Sequence, residues 1–160
     1  MTRKKPWNRV NLPVYSISSK GPGGFNMNII TYTVPVSMKP KRLICAVYHG
    51  SQTLDNIRRE KQAVLQLLHE DQYRLVDKLG KRSGKNTDKL TALNKRNLCT
   101  EWKGFPVLTG ALAWMELKVL DEMEGGDHRL FLCEVQAWKN NSEGEPLTLD
   151  MLRKKNIIRG

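Results

Sequence analysis

The sequence predicts a mainly β fold with short helices, an antiparallel β-barrel rather than a βαβ sheet, on three observations. Short stretches rich in β-branched and apolar residues recur between Pro and Gly punctuation. The nine residues Ala111–Val119 keep strict period-two alternation, which a helix does not sustain. No Gly-x-Gly-x-x-Gly follows a strand and no Gly-x-x-x-x-Gly-Lys-Ser/Thr occurs, so phosphate-loop and dinucleotide-binding sheets drop out.

The elements follow in order. Val14–Ser18, Asn28–Val36 and Leu43–Tyr48 read as strands, with Gly21-Pro22-Gly23-Gly24 as the turn between the first two. Thr53 is placed to cap a helix that ends near Lys61, with Asp55 favourable in its first turn. Ala63–Leu68 reads as a strand and Gln72–Leu79 as a second helix with Tyr73, Val76 and Leu79 on one face. In the Ala111–Val119 strand, Ala111, Ala113, Met115, Leu117 and Val119 face one way, and Leu112, Trp114, Glu116 and Lys118 the other. Glu124-Gly125-Gly126-Asp127 turns the chain into a returning strand, Arg129–Trp138. Asn140–Gly144 closes the sheet, and Leu147–Lys155 is a last helix with Thr148 as its candidate cap.

A chain of 160 residues suits one domain, residues 1–160, which buries roughly two-thirds of its unfolded surface. The hydrophobic fraction of 39% and charged fraction of 27% are those of an ordered globular protein. No apolar run reaches the length of a membrane span, and MTRKKPWNR carries basic residues without an apolar stretch after them, so the expected location is the cytoplasm. Cys45, Cys99 and Cys133 are odd in number and widely spaced, which predicts free, reduced thiols rather than a disulfide framework or a metal knuckle.

The net charge of +11 draws polyanions without choosing among nucleic acid, anionic lipid and phosphorylated cofactors. Much of it lies in Arg3-Lys4-Lys5, in Arg153-Lys154-Lys155 and in a central cluster of Lys78, Lys81, Arg82, Lys85, Lys89, Lys95 and Arg96. That cluster is interleaved with Gly80, Ser83, Gly84, Asn86 and Thr87, a composition suited to surrounding a phosphate. Gly24–Thr53 sets a polar-edged strand and a buried strand beside a Ser/Thr-rich turn into a helix, an edge along which an elongated phosphorylated cofactor can lie. His49, His69 and His128 are far apart with no metal-ligand spacing, and no Gly-x-Ser-x-Gly elbow occurs. The chemistry is therefore expected to belong to a bound cofactor.

The run Asn26-Met27-Asn28-Ile29-Ile30-Thr31-Tyr32-Thr33-Val34-Pro35-Val36-Ser37 resembles that of the flavin reductase-like, FMN-binding split-barrel proteins, and within them the flavoredoxin group. Three further stretches are similar in the same order: His49-Gly50-Ser51-Gln52-Thr53, Ser83-Gly84-Lys85 to Asp88-Lys89, and Gly126-Asp127-His128 to Glu134-Val135. The resemblance covers roughly residues 8 to 140. It implies a homodimer of split antiparallel barrels, Greek-key-like in path, holding FMN near the subunit boundary and using NADH or NADPH as reductant. By the same resemblance Asn26 bonds near the flavin or its chain, Tyr32 stands for a tryptophan near the ring, and Thr53 bonds the phosphate end. Lys89 supplies positive charge, and His128, the catalytic candidate, sits near the ring or the nicotinamide approach. Thr31, Thr33 and Ser51 are further neighbours. No metal is implied.

Ile29 stands where the family commonly has a hydroxyl, Asn28 where it has Met, and Tyr32 where it has Trp. Cys133 replaces a family glycine and Leu117 a common cysteine, both read as packing changes on the sheet. The end at Gly160 lacks a C-terminal stretch that covers the flavin in longer relatives, which implies a more exposed flavin. Three functions remain open at the sequence level. They are an NAD(P)H-dependent flavin or ferric reductase, an FMN-binding electron-transfer protein served by a partner reductase, and a basic nucleic-acid-binding barrel. Of these the last is the least favoured, since no RNA-binding motif is present.

Overall fold

Seven strands form one antiparallel sheet, in the spatial order Gly24–Ile30, Tyr15–Gly21, Gln62–Leu67, Ala113–Glu124, His128–Asn140, Arg42–Tyr48 and Thr33–Ser37. The computed structural model describes residues 3–80 and 88–159. The strands are β1 (Tyr15–Gly21), β2 (Gly24–Ile30), β3 (Thr33–Ser37), β4 (Arg42–Tyr48), β5 (Gln62–Leu67), β8 (Ala113–Glu124) and β9 (His128–Asn140). β6 (Cys99–Trp102) and β7 (Phe105–Leu108) form a separate hairpin. The helices are α1 (Gln52–Glu60), α2 (Leu75–Gly80), α3 (Lys89–Lys95) and α4 (Leu149–Lys154).

The strand order forces the sheet to roll up. β2 and β3 lie on opposite edges, about 29 Å apart if the sheet were flat. Yet only Thr31 and Tyr32 join them, a link that reaches about 11 Å at most. The edges must therefore approach each other, and the Ala46 amide, donating to the Tyr32 carbonyl at 2.8 Å, carries the β3–β4 ladder one residue into the link. The result is a barrel open along one seam, the split antiparallel barrel the sequence resemblance implied.

Rolling creates two cores. Inside the barrel lie Ile17, Leu43, Cys45, Val47, Leu65, Leu117, Val119, Phe131 and Cys133, closed at one end by Leu54 and Ile57 of α1. Outside it, Val14, Met27, Val64 and Leu68 pack against Leu75, Val76, Leu79, Leu93, Val107, Leu108, Trp114, Leu147 and Leu152. β5 is thus covered on both faces, which explains its unbroken run Ala63, Val64, Leu65. Gln66 fixes the β6–β7 hairpin to this second layer by accepting from the Leu108 amide at 2.6 Å and donating to Ser18 Oγ at 2.9 Å.

Several expected boundaries change. Asn28–Val36 is two strands rather than one, because barrel closure turns the chain at Thr31–Tyr32. The helix near residue 53 begins earlier, and its cap is Ser51, not Thr53: the Leu54 amide donates to Ser51 Oγ at 3.1 Å. Gln72–Leu79 is a 3-10 turn, Glu70–Arg74, running into α2. β8 continues past Val119 to Glu124, and β6, β7 and α3 are additional to the sequence reading. Thr148 caps α4 as expected, its Oγ1 accepting from the Met151 amide. The Ser83-Gly84-Lys85 motif and the cations Lys81 and Arg82 lie outside the described residues. Among the described residues no helix is long and apolar enough to cross a membrane.

Candidate functional site

The seam and the start of α1 come together at one end of the barrel. Asn28–Tyr32, Ala46–Tyr48 and His128 line a cleft of about 260 Å³ there. Strand pairing sets Tyr48 opposite His128, and Ala46 binds the chain at Tyr32, so three segments distant in sequence converge. The His128 ring centroid lies 4.9 Å from that of Tyr32 and 5.6 Å from that of Tyr48. Both tyrosines are more than half exposed, at 55% and 58%, which leaves a wall of aromatic surface facing water. Asp127 Oδ1 sits 2.7 Å from His128 Nδ1. The carboxylate can only accept, so Nδ1 carries the proton and donates it, which leaves Nε2 for a ligand. Asn28 covers the seam edge of β2, its side-chain oxygen accepting from the Ile29 amide at 2.9 Å.

The loop Tyr48–Ser51 connects this wall to α1. Ser51 Oγ donates to the Tyr48 carbonyl at 2.8 Å while it caps the helix, and Gly50 takes a φ of 82°, which favours glycine. Asp55 is the only acidic residue in the first turn of α1. The free amides of the helix start suit an anion.

Below the surface, Asn26 Nδ2 donates to Thr53 Oγ1 at 3.0 Å, and both residues are buried. Asn56 extends this network, donating to Ser19 Oγ at 3.1 Å and accepting from Gln52 Nε2 at 2.8 Å. A Cβ at Gly21 would lie 2.2 Å from Asn56 Oδ1, so any other residue there displaces the Asn56 side chain from this network. The two residues expected at the flavin chain and phosphate are therefore brought together as partners of each other, and neither lines the cleft.

The remaining expected residues divide. Thr31, Tyr32 and His128 line the cleft, and Ser51 adjoins it through Tyr48. Thr33 is half-buried, its hydroxyl beside the Tyr15 phenol, whose pKa is raised by burial and drawn back by that hydroxyl. Lys89 does not line the cleft. Its side chain is 6% exposed, and its Nζ donates to the carbonyls of Leu79 at 2.7 Å and Met27 at 3.2 Å. Burial lowers its pKa to about 8. The ammonium thus ties β2 to α2 and the start of α3 instead of standing at the cleft. Sequence reasoning passed over Tyr48, the third member of the aromatic wall. Its signal was its place in alternation with Ile44 and Ala46, which sets it on the outer face, opposite His128.

The aromatic wall, the buried Ile30 and Val47 and the main-chain edge fit a flat conjugated ring, and the start of α1 fits an anionic tail. A rolled seven-stranded sheet with such a seam defines the split-barrel class. The chain belongs to the flavin reductase like domain family, whose model matches residues 7–156. It is 26% identical over 146 residues to FMN reductase (NADH) RutF 2 of Rhizobium rhizogenes (strain K84), covering 87% of this chain and 78% of that protein. Its fold is similar to that of the flavin reductase PheA2, with a TM-score of 0.73, 25% identity and coverage of 89% of this chain and 87% of that one. A Sinorhizobium meliloti 1021 protein provisionally named as an oxidoreductase shares the fold at a TM-score of 0.77 and 19% identity. There 89% of this chain matches 48% of a chain about twice the matched length.

Proposed function

We propose that this chain is an NAD(P)H-dependent flavin reductase that works with bound FMN, taking NADH or NADPH as reductant and a free flavin or ferric species as acceptor. The observation that carries the reading is the aromatic-walled seam cleft beside the start of α1, in a chain of the flavin reductase like family. A relative named FMN reductase (NADH) supports the choice of flavin and reductant. FMN, when bound, supplies hydride acceptance from a reduced nicotinamide and onward delivery of the electrons.

The protein's own residues bind and orient. Tyr32 and Tyr48 offer ring faces to a flat ligand, and Thr31 and the β2 edge offer polar groups to its rim. His128, its Nδ1 held by Asp127, keeps Nε2 for a hydrogen bond or a proton at the reacting edge. Ser51 and the α1 amides receive the anionic end. Asn26, Thr53 and Lys89 act from outside the cleft, by fixing β2 against the helices.

The reading extends to assembly and location. Residues 1–160 form one domain, two copies pair, and the protein works in the cytoplasm, where buried Cys45 and Cys133 stay reduced. Pairing is supported by an apolar outer face: Val34, Ile44, Leu132, Leu130 and Met123 are successive partners or neighbours across β3, β4, β9 and β8. That face runs on to Tyr48 and His128, so a second copy would border the cleft.

The test is a visible spectrum of the desalted protein followed by an NAD(P)H oxidation assay. Flavin absorbance that survives desalting and FMN-dependent oxidation are expected, and His128→Ala should lower kcat/KM roughly 100-fold with FMN still bound. Protein that takes up no FMN would overturn the proposal. Stoichiometric FMN with no oxidation of either nicotinamide would instead make this an electron-transfer protein served by a partner reductase.

A further inference from the structure

The β8–β9 hairpin carries His128 at one side of the cleft, and the loop Tyr48–Ser51 carries an aromatic wall residue and the cap of α1 at the other. Glu124 joins them. Its Oε1 lies 2.7 Å from His49 Nε2 and also accepts from the Gly126 amide at 3.3 Å, while its Oε2 accepts from Arg129 Nη1 at 3.3 Å. His49 first, and then the Gly126 amide, hold its pKa below the usual carboxylate value. The His49 amide adds a main-chain bond to the Asp127 carbonyl at 3.0 Å. The hairpin tip is closely packed. A Cβ at Gly125 would meet Leu130 Cδ1 at 2.2 Å and the His128 carbonyl at 2.9 Å, and the Gly125 amide already donates to that carbonyl.

We infer that Glu124 is a positioning residue for flavin. Through His49 it locks the Tyr48–Ser51 loop to the hairpin, so that the Tyr48 wall, the α1 cap and His128 stand in one fixed relation. The inference rests on the proposed flavin site and assigns part of that site's geometry to a side chain outside the cleft. Glu122, two residues earlier, makes a comparison within the same strand. It pairs with Arg58, Lys61 and Arg129, the last shared with Glu124, and makes no hydrogen bond or ion pair to the Tyr48–Ser51 loop.

Fluorescence quenching of FMN titrated into wild-type protein, Glu124→Ala, His49→Ala, the double variant, Glu124→Gln and Glu122→Gln tests this. Glu124→Ala should weaken FMN binding about tenfold, the equivalent of one charge-assisted hydrogen bond. His49→Ala should match it, the double variant should be no worse than either, and Glu124→Gln should recover part of the loss. Glu122→Gln should bind FMN as wild type does even where its thermal midpoint falls. Unchanged FMN affinity in Glu124→Ala, additive losses in the double variant, or an equal loss in Glu122→Gln would overturn the positioning role. Should Glu124→Ala fail to fold, His49→Ala and Glu124→Gln decide by the same criteria. Wild-type protein without FMN affinity would overturn the flavin site itself, and the inference with it.

Discussion

Lys89 shows how one buried group reports on its surroundings. Its ammonium is held by two carbonyls, yet burial lowers its pKa to about 8, so protonation is less favourable in the folded chain than in the unfolded one. Below pH 8 both states carry the proton and the burial penalty is complete. Between about pH 8 and the ordinary lysine value near 10.4 the unfolded chain binds more protons, so this residue's contribution to stability rises with pH. Cys45 and Cys99 act with the opposite sign. The Cys133 thiol and burial raise the Cys45 pKa, and burial raises that of Cys99 to about 11, so the unfolded thiols ionise first and stability falls. The lysine is therefore isolated as a difference: urea unfolding of wild type and Lys89→Met at pH 7.5 and pH 10 should show wild type gaining relative to the variant at the higher pH. A difference that stays constant or shrinks would contradict the buried, depressed lysine. The sequence marked Lys89 as notable through its Asp-Lys context, but its direction was not legible, because only the packing of α2, α3 and β2 decides whether an ammonium faces a ligand or a carbonyl.

At the scale of elements, α1 separates two hydroxyls that the sequence treats alike. Ser51 and Thr53 are both plausible caps, and local propensity cannot rank them. Barrel closure decides: Thr53 falls on the face against β2 and bonds Asn26, while Ser51 stays at the exposed start and takes the Leu54 amide. Ser51→Ala should cost about 1 kcal/mol, the usual loss of a cap. Thr53→Val should cost about 1–3 kcal/mol, since it leaves the buried Asn26 amide without its partner. Denaturant unfolding with slopes compared checks both, and Thr53→Ser should recover most of the second loss. The same divide between local and distant causes accounts for other boundaries. The β8 alternation was legible because Met115, Leu117 and Val119 meet the barrel core while Glu116 and Lys118 stand on the other face. The break at Thr31–Tyr32 was not, since the residues there continue a strand-like pattern and only the approach of the sheet edges turns them. The β6–β7 hairpin left a faint signal in Lys103-Gly104, which take φ of 54° and 79°, the two left-handed positions of a tight two-residue turn.

At the scale of the whole molecule, the outer face of β3, β4, β9 and β8 is what the rolled sheet leaves uncovered. The inner residues of these strands fill the barrel, and α2, α3, α4 and the β6–β7 hairpin all pack on the other side, against β1, β2 and β5. Met123 at 62% and Val34 at 51% exposed, beside Ile44, Leu130 and Leu132, make this an apolar surface of the kind a second copy can cover. Because the face continues to Tyr48 and His128, pairing of two copies and completion of the cleft should be linked. Val34→Asp combined with Met123→Asp should shift sedimentation from dimer to monomer, leave the far-UV spectrum unchanged, and weaken FMN binding together with dimerisation. A wild-type protein that sediments as a monomer at micromolar concentration, or a monomeric variant with undiminished FMN affinity, would separate the flavin site from assembly.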